Sequence, residues 1–233
     1  GDRAARIQKI YAEEGWEPCY ALGFIDDPRH KDVRAIFDRA FRASRIRDLN
    51  PFIEETCYSL VDGFAGEGGC NIVECYASPL PLMVTAKQTG VPLEEFGKIR
   101  IWIDAFIRRF GLMISEEEER ACVVLIIEAQ HYLMGIIERL RVNPDETILS
   151  DIVNTPMSDG ELLSDNELLT HLLDDIFVGG SETTMSAIGS GVHLLCENAA
   201  WYERLKADPD KYLRPFVEEV LRLEAPVQGL FRV

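Results

Sequence analysis

Apolar residues recur along this chain at intervals of three and four, the spacing that puts them on one face of a helix. The strict alternation of a half-buried strand is rare. Ile99, Trp102, Ile103, Phe106 and Phe110 form one apolar stripe and predict a helix opened by Val91-Pro92. Punctuation residues set the other boundaries. Asp26-Asp27-Pro28-Arg29-His30 reads as a turn opening a helix to about Arg42, with Pro28 where a first-turn proline is tolerated. Asn50-Pro51 caps a helix that reaches Phe64 and is broken by Gly66-Glu67-Gly68-Gly69. Pro79 and Pro81 mark the start of another that stops at Gly90, and the short apolar run Cys70 to Val73 is a candidate strand.

Two capping boxes are written out in the sequence. Ser115 with Glu118 opens a long helix to about Arg141, and its acidic start, Glu116 to Glu119, suits a helix N-terminus. Ser164 with Glu167 opens the longest helical stretch, Asp165 to about Cys196. Gly179-Gly180 interrupts that stretch. Glycine costs about 1 kcal/mol against alanine in a helix interior, so the pair predicts a bend there and a close approach to the backbone. A last helix runs from Pro209 or Asp210 to Leu223. No internal repeat and no long linker divides the chain, so the pattern predicts a mainly α fold with minor β, as one domain over residues 1–233.

Composition narrows the function classes. With 47% hydrophobic residues the 233-residue chain has enough apolar material for a core. Its 24 Lys and Arg against 40 Asp and Glu leave a charge of −16, which argues against nucleic acid and against an anionic membrane surface. The longest purely apolar run, Ala121 to Ile127, falls short of the roughly 20 residues of a spanning helix. No signal peptide is evident at Gly1-Asp2-Arg3. The six cysteines, at 19, 57, 70, 75, 122 and 196, contain no C-x-x-C pair and fit no zinc spacing, so no metal site of side chains is expected. They read as scattered, mostly buried thiols in a reducing, cytoplasmic setting.

Three segments carry candidate chemistry. Gly179-Gly180 is followed directly by Ser181-Glu182-Thr183-Thr184. A carboxylate beside a hydroxyl at a helix distortion can deliver protons, and missing Cβ atoms leave room for a flat cofactor or small ligand. A kinked helix with a solvated Glu182 and back-bonding threonines accounts for the same residues. His30 and Arg34, four apart, share a helix face and could grip a carboxylate, or form a merely basic surface. Glu219 and Arg222 are an i,i+3 pair whose bare spacing also occurs at Glu117/Arg120 and Glu138/Arg141. What sets it apart is the sequence that follows, through Pro226-Val227 to Arg232.

Taken in order, Asp26-x-Pro28-x-His30-x-x-x-Arg34, Gly179-Gly180-Ser181-Glu182-Thr183-Thr184 and Glu219-x-x-Arg222 leading to Pro226-Val227 and Arg232 resemble the cytochrome P-450 family of haem-thiolate monooxygenases, its soluble bacterial type above all. Pro51-Phe52-Ile53, Tyr76 through Pro81 and Gly90-Val91-Pro92 add supporting similarity. The resemblance implies the helical core of that fold, with a long kinked central helix. It implies that Glu182 and Thr183 handle protons during oxygen activation, and that Gly179 and Gly180 line the cofactor side of the kink. By the same resemblance, His30, Arg34 and Arg232 hold haem propionates, while Glu219 and Arg222 are a structural pair. Counted back from Thr183, Asp175 falls on the cofactor side and is a candidate to meet a basic or hydroxylated substrate, with a surface acid on an exposed helical turn the alternative that burial statistics favour; Trp102 and Phe106 are candidates for a substrate roof or, by preference, ordinary core of a packed helix pair.

The implied function is insertion of one oxygen atom from dioxygen into an apolar small molecule, with haem as cofactor and electrons from a ferredoxin- or flavoprotein-type donor. The basic residues around Arg29, Lys31, Arg39 and Arg42 are the expected docking region for that donor. The family's N-terminal region and its C-terminal haem-cysteine loop have no counterpart in these residues, and none of the six cysteines has the surroundings expected of the iron ligand. The chain is therefore expected to match the central portion of the family and to be inactive alone. The alternatives are a non-catalytic helical ligand-binding or interaction protein derived from the same fold, and a fragment that self-associates.

Overall fold

A computed structural model of the chain describes residues 2–111 and 113–229. It is 76% helical, and no strand forms among the described residues, as a mainly α reading requires. In chain order the helices are α1 (Asp2–Glu14), α2 (Arg29–Ala40), α3 (Ala43–Asp48), α4 (Asn50–Asp62), α5 (Pro79–Thr89), α6 (Phe96–Phe110), α7 (Glu116–Val142), α8 (Ile148–Asn154), α9 (Asp165–His171), α10 (Gly179–Glu197), α11 (Ala199–Ala207) and α12 (Pro209–Leu223). Two π-helical segments, Val73–Ala77 and Leu172–Val178, complete the set. The expected minor β component is not found: Cys70 and Asn71 are irregular, and the chain enters helix at Ile72. Four residues, Asn71 among them polar, with no partner strand are too few to hold a sheet register.

The chain divides into two compact units, Gly1–Phe52 with Leu82–Gly179, and Ile53–Pro81 with Gly180–Val233. The first is organised around α7. Ser115 accepts the Glu118 N–H at its start, and the Glu118 carboxylate reaches back to the Ser115 N–H, so the box read from sequence is formed. An 18-residue window of α7 has a mean hydropathy of 1.5, enough to resemble a membrane span, but half of that window is buried inside the protein. Val123, Ile126, Leu133, Ile137 and Leu140 pack in one core with Val33, Ile36 and Phe37 of α2, Ile99 and Trp102 of α6, Leu149 and Ile152 of α8 and Leu168 and Leu169 of α9. Each such side chain contributes roughly 1.5–3 kcal/mol by leaving water. Gly90 ends α5 at φ +73°, a conformation that favours glycine, and a Cβ there would press Thr147 Cγ2 at 3.1 Å.

Within the second unit, α12 lays Phe216 and Val220 against α10 at Gly191, where an added Cβ would stand in ordinary contact with Val220, at 3.7 Å. Trp201 of α11 packs on Phe216 with ring centroids 5.8 Å apart. Asp208 caps α12, and Pro209 occupies its first turn, where its missing N–H costs nothing.

Candidate functional site

The distortion in the long helical stretch lies just before the glycines. The residues from Leu172 to Val178 are π-helical, and α10 begins in regular α geometry at Gly179. Two glycines do lower helix propensity, but here the wider turn precedes them. Such segments are rare and occur often at functional sites. The Gly179 N–H bonds to the Asp174 carbonyl, five residues back, and a Cβ added at Gly179 would meet only that carbonyl oxygen, at 3.4 Å. The space outward from this backbone is otherwise open.

Glu182 and Thr183 follow in the first turns of α10, both half-buried, with Ser181 buried beside them. As helix neighbours they point about 100° apart, so they act from adjacent faces instead of one. Thr183 lines an apolar groove of about 460 Å³ within the second unit, together with Thr184, Ile188, Gly191, Phe216 and Val220. Glu182 is absent from the groove wall. Thr183 therefore stands on an apolar groove, and Glu182 is its neighbour in the chain.

His30 and Arg34 do share one face of α2. His30 Nδ1 is 3.8 Å from Asp27 Oδ1, and Arg34 Nε donates to Asp38 Oδ1 at 2.8 Å, all on exposed side chains. Pairs this exposed contribute little and exchange readily for another anion. The basic surface around them is less free than composition alone implies: Lys31 meets Asp27 at 2.7 Å, Arg42 meets Asp151 at 3.3 Å, and Arg29 pairs with Glu167. Glu219 and Arg222 form a two-pronged pair on α12, Nε to Oε2 at 2.7 Å and Nη2 to Oε1 at 2.6 Å. The Arg222 guanidinium holds the Glu219 carboxyl below its ordinary range. Arg232 lies outside the described residues.

Asp175 is tied to neighbours within the fold. Its Oδ2 accepts from the Leu22 N–H at 3.1 Å and lies 2.6 Å from Nδ1 of the buried His171. The neighbouring Asp174 instead lines a cavity of about 290 Å³ in the first unit, with Tyr11, Tyr20, Phe106, Arg109 and Leu173. The π segment explains the exchange. A turn that takes one extra residue moves the face counted back from Thr183 from position 175 to position 174. Phe106 lines this cavity and packs against the core, and Trp102 is a core residue, as the reading of both as ordinary core has it. Tyr11 carried no signal in the sequence; only the fold brings α1 to this wall. Burial raises Asp174, helped by the Asp175 charge, to a pKa of about 6, and Tyr11 to about 12.

No protein-family model matches the chain. Among curated proteins it is 30% identical over 209 residues to the steroid C26-monooxygenase of Mycobacterium tuberculosis, covering 90% of this chain and 55% of that protein. It is 33% identical over 208 residues to the cytochrome P450 monooxygenase PikC of Streptomyces venezuelae, covering 88% and 47%. Among solved structures, the Bacillus subtilis polyketide-synthase cytochrome P450 PksS superposes with a TM-score of 0.80 at 29% identity, over 89% of this chain and 51% of that one. The chain thus spans about half the length of the curated relatives it matches. Sequence and fold together place these residues in the cytochrome P450 family.

Proposed function

We propose that the protein is a haem-dependent monooxygenase that inserts one oxygen atom from dioxygen into an apolar small molecule, using electrons from a ferredoxin- or flavoprotein-type donor. The observation that carries this reading is the junction of π segment and α10. There an open glycine backbone is followed four residues later by a hydroxyl on an apolar groove, with a carboxylate beside it. The relatives named as monooxygenases support the reaction class.

The residues present fit a flat, apolar, anionic cofactor. Gly179 offers backbone without a Cβ clash on its outer side, and His30 offers an imidazole N–H and Arg34 a guanidinium, each on an exposed, exchangeable pair. When bound, haem supplies the oxygen and electron chemistry, which is the cofactor's own. His30 and Arg34 would bind its carboxylates by giving up Asp27 and Asp38, and Arg232 would join them. Gly179 and Gly180 would admit it to the helix backbone. Thr183 would hold a proton at Oγ1 toward the reacting side, and Glu182 would replace that proton from solvent. Glu219 and Arg222 would brace α12 and take no part in proton transfer. A reducing cytoplasmic compartment suits the six free thiols, which are not mostly buried as expected: Cys122 alone is buried, and Cys19, Cys70 and Cys196 are exposed.

The test is Thr183→Ala in the holoenzyme. Product formed per electron pair should fall steeply, with the rate of product formation down about a hundredfold, the scale of a lost proton donor, while cofactor binding persists. Unchanged coupling would remove Thr183 from the proton route.

A further inference from the structure

The cavity of the first unit is built as a polar-ended pocket. Tyr11 is 2% exposed, lines the cavity, and its phenol oxygen is buried with no hydrogen-bond partner. A buried hydroxyl left unpaired costs about 1–3 kcal/mol, so such groups are expected to find a partner. Across the same lining stands the half-buried Asp174, whose carboxylate makes no hydrogen bond or ion pair with another described side chain. The rest of the lining is largely aromatic and aliphatic: Tyr20, Phe24, Phe106 and Leu173.

The wall between α1 and α2 is held in place and does not drape over the cavity. Gln130 of α7 accepts the Trp16 N–H at 3.0 Å and donates to the Trp16 carbonyl at 2.7 Å. The Cys19 N–H donates to Thr170 Oγ1 at 3.0 Å, and the Leu22 N–H to Asp175. Asn166 donates to the Glu17 carbonyl at 2.8 Å. Prepaid order of this kind is what a binding pocket needs. The cation in the lining, Arg109, lies with its Nε 3.5 Å from Glu119, which also pairs with Arg3, and its guanidinium stands over the Tyr11 ring at 5.7 Å from the centroid; the buried Nε has no hydrogen-bond partner and is a second donor facing the same question as the Tyr11 phenol.

We infer that this cavity binds a compact apolar molecule carrying a hydroxyl group, which accepts from the Tyr11 phenol or donates to the Asp174 carboxylate. A carboxylic acid is disfavoured, because the Asp174 carboxylate would repel it. That this molecule is the substrate rests on the monooxygenase reading; that it binds does not.

The experiment is calorimetric titration of the chain with three probes on one rigid hydrocarbon frame: 1-adamantanol, its methyl ether, and 1-adamantanecarboxylate. The alcohol should bind at least about fivefold tighter than the ether, which cannot donate, and tighter than the acid. Tyr11→Phe should weaken the alcohol about fivefold, and Asp174→Leu should erase its advantage over the ether. If Asp174→Leu does not fold, Asp174→Asn, which keeps shape but loses charge, should reduce that advantage to about twofold. No binding, equal binding of alcohol and ether, or tightest binding of the acid would each overturn the inference. The coupling of Thr183→Ala is read separately. Uncoupling there without alcohol selectivity here defeats this inference alone. Alcohol selectivity with normal coupling leaves a binding pocket and defeats the proton route.

Discussion

The two units use apolar helices differently. In the first, α7 buries its apolar positions in a continuous core shared with α2, α6, α8 and α9, and Val123, Ile137 and Leu140 are fully enclosed. In the second, α12 has the more one-sided apolar pattern, yet only Phe216 and Val220 are buried. Leu213, Val217, Leu221 and Leu223 stay exposed, and the groove beside α10 remains open. Periodicity therefore shows which face of a helix is apolar but not whether anything covers it. Stability should concentrate in the first unit, and exposed apolar surface in the second marks a place for contacts rather than for cohesion.

The largest expected effect tests that contrast directly. Leu169→Ala, at a fully buried position, should cost about 3 kcal/mol in denaturant unfolding, whereas Leu221→Ala should cost less than about 0.5 kcal/mol. Equal losses would erase the distinction between the units. Asp174→Asn should act in the opposite direction. Burial lifts this carboxyl to a pKa of about 6 in the fold, so the charged form opposes folding, and stability falls as pH rises from about 4 through about 6. Removing the charge should stabilise the chain by about 1–2 kcal/mol at pH 7.5, after allowance for solvent screening, with the gain vanishing toward pH 4. A gain that is independent of pH would mean that something other than the charge is relieved. The smallest effect is local. Ser164→Ala removes the acceptor of the Glu167 N–H and should cost about 1 kcal/mol, read as a lower midpoint of thermal unfolding.

What was legible in the sequence follows from the range of the signal. The helices α7 and α9 announced themselves through reciprocal four-residue boxes, and both boxes form as written. The helices α1, α8 and α11 went unread. For α8 and α11 a cap was present: Thr147 accepts the Ser150 N–H and Asn198 the Trp201 N–H, but seven to nine residues give too little periodicity to stand out. The six-residue α3 also went unread, and Arg42 before it offers no side-chain cap. At the site, Glu182, Thr183 and the Glu219–Arg222 pair could be placed because each depends on neighbours close in sequence. The cavity could not, because Tyr11, Arg109 and Asp174 come from three distant segments. Asp175 was misplaced for a different reason: its face was counted with α spacing through a stretch that does not keep it.

That stretch also matters for anyone comparing helices by their letters. A π turn is an α-helix carrying one residue more than its length requires, so it behaves as an insertion hidden inside an unbroken element. Aligned against a helix without it, residues 172–178 need a single-position gap in mid-helix, where gaps are normally forbidden. Without that gap, every residue on one side is paired with a neighbour of the residue it should match, and Asp175, locked to His171, is read in place of Asp174, which opens on the cavity.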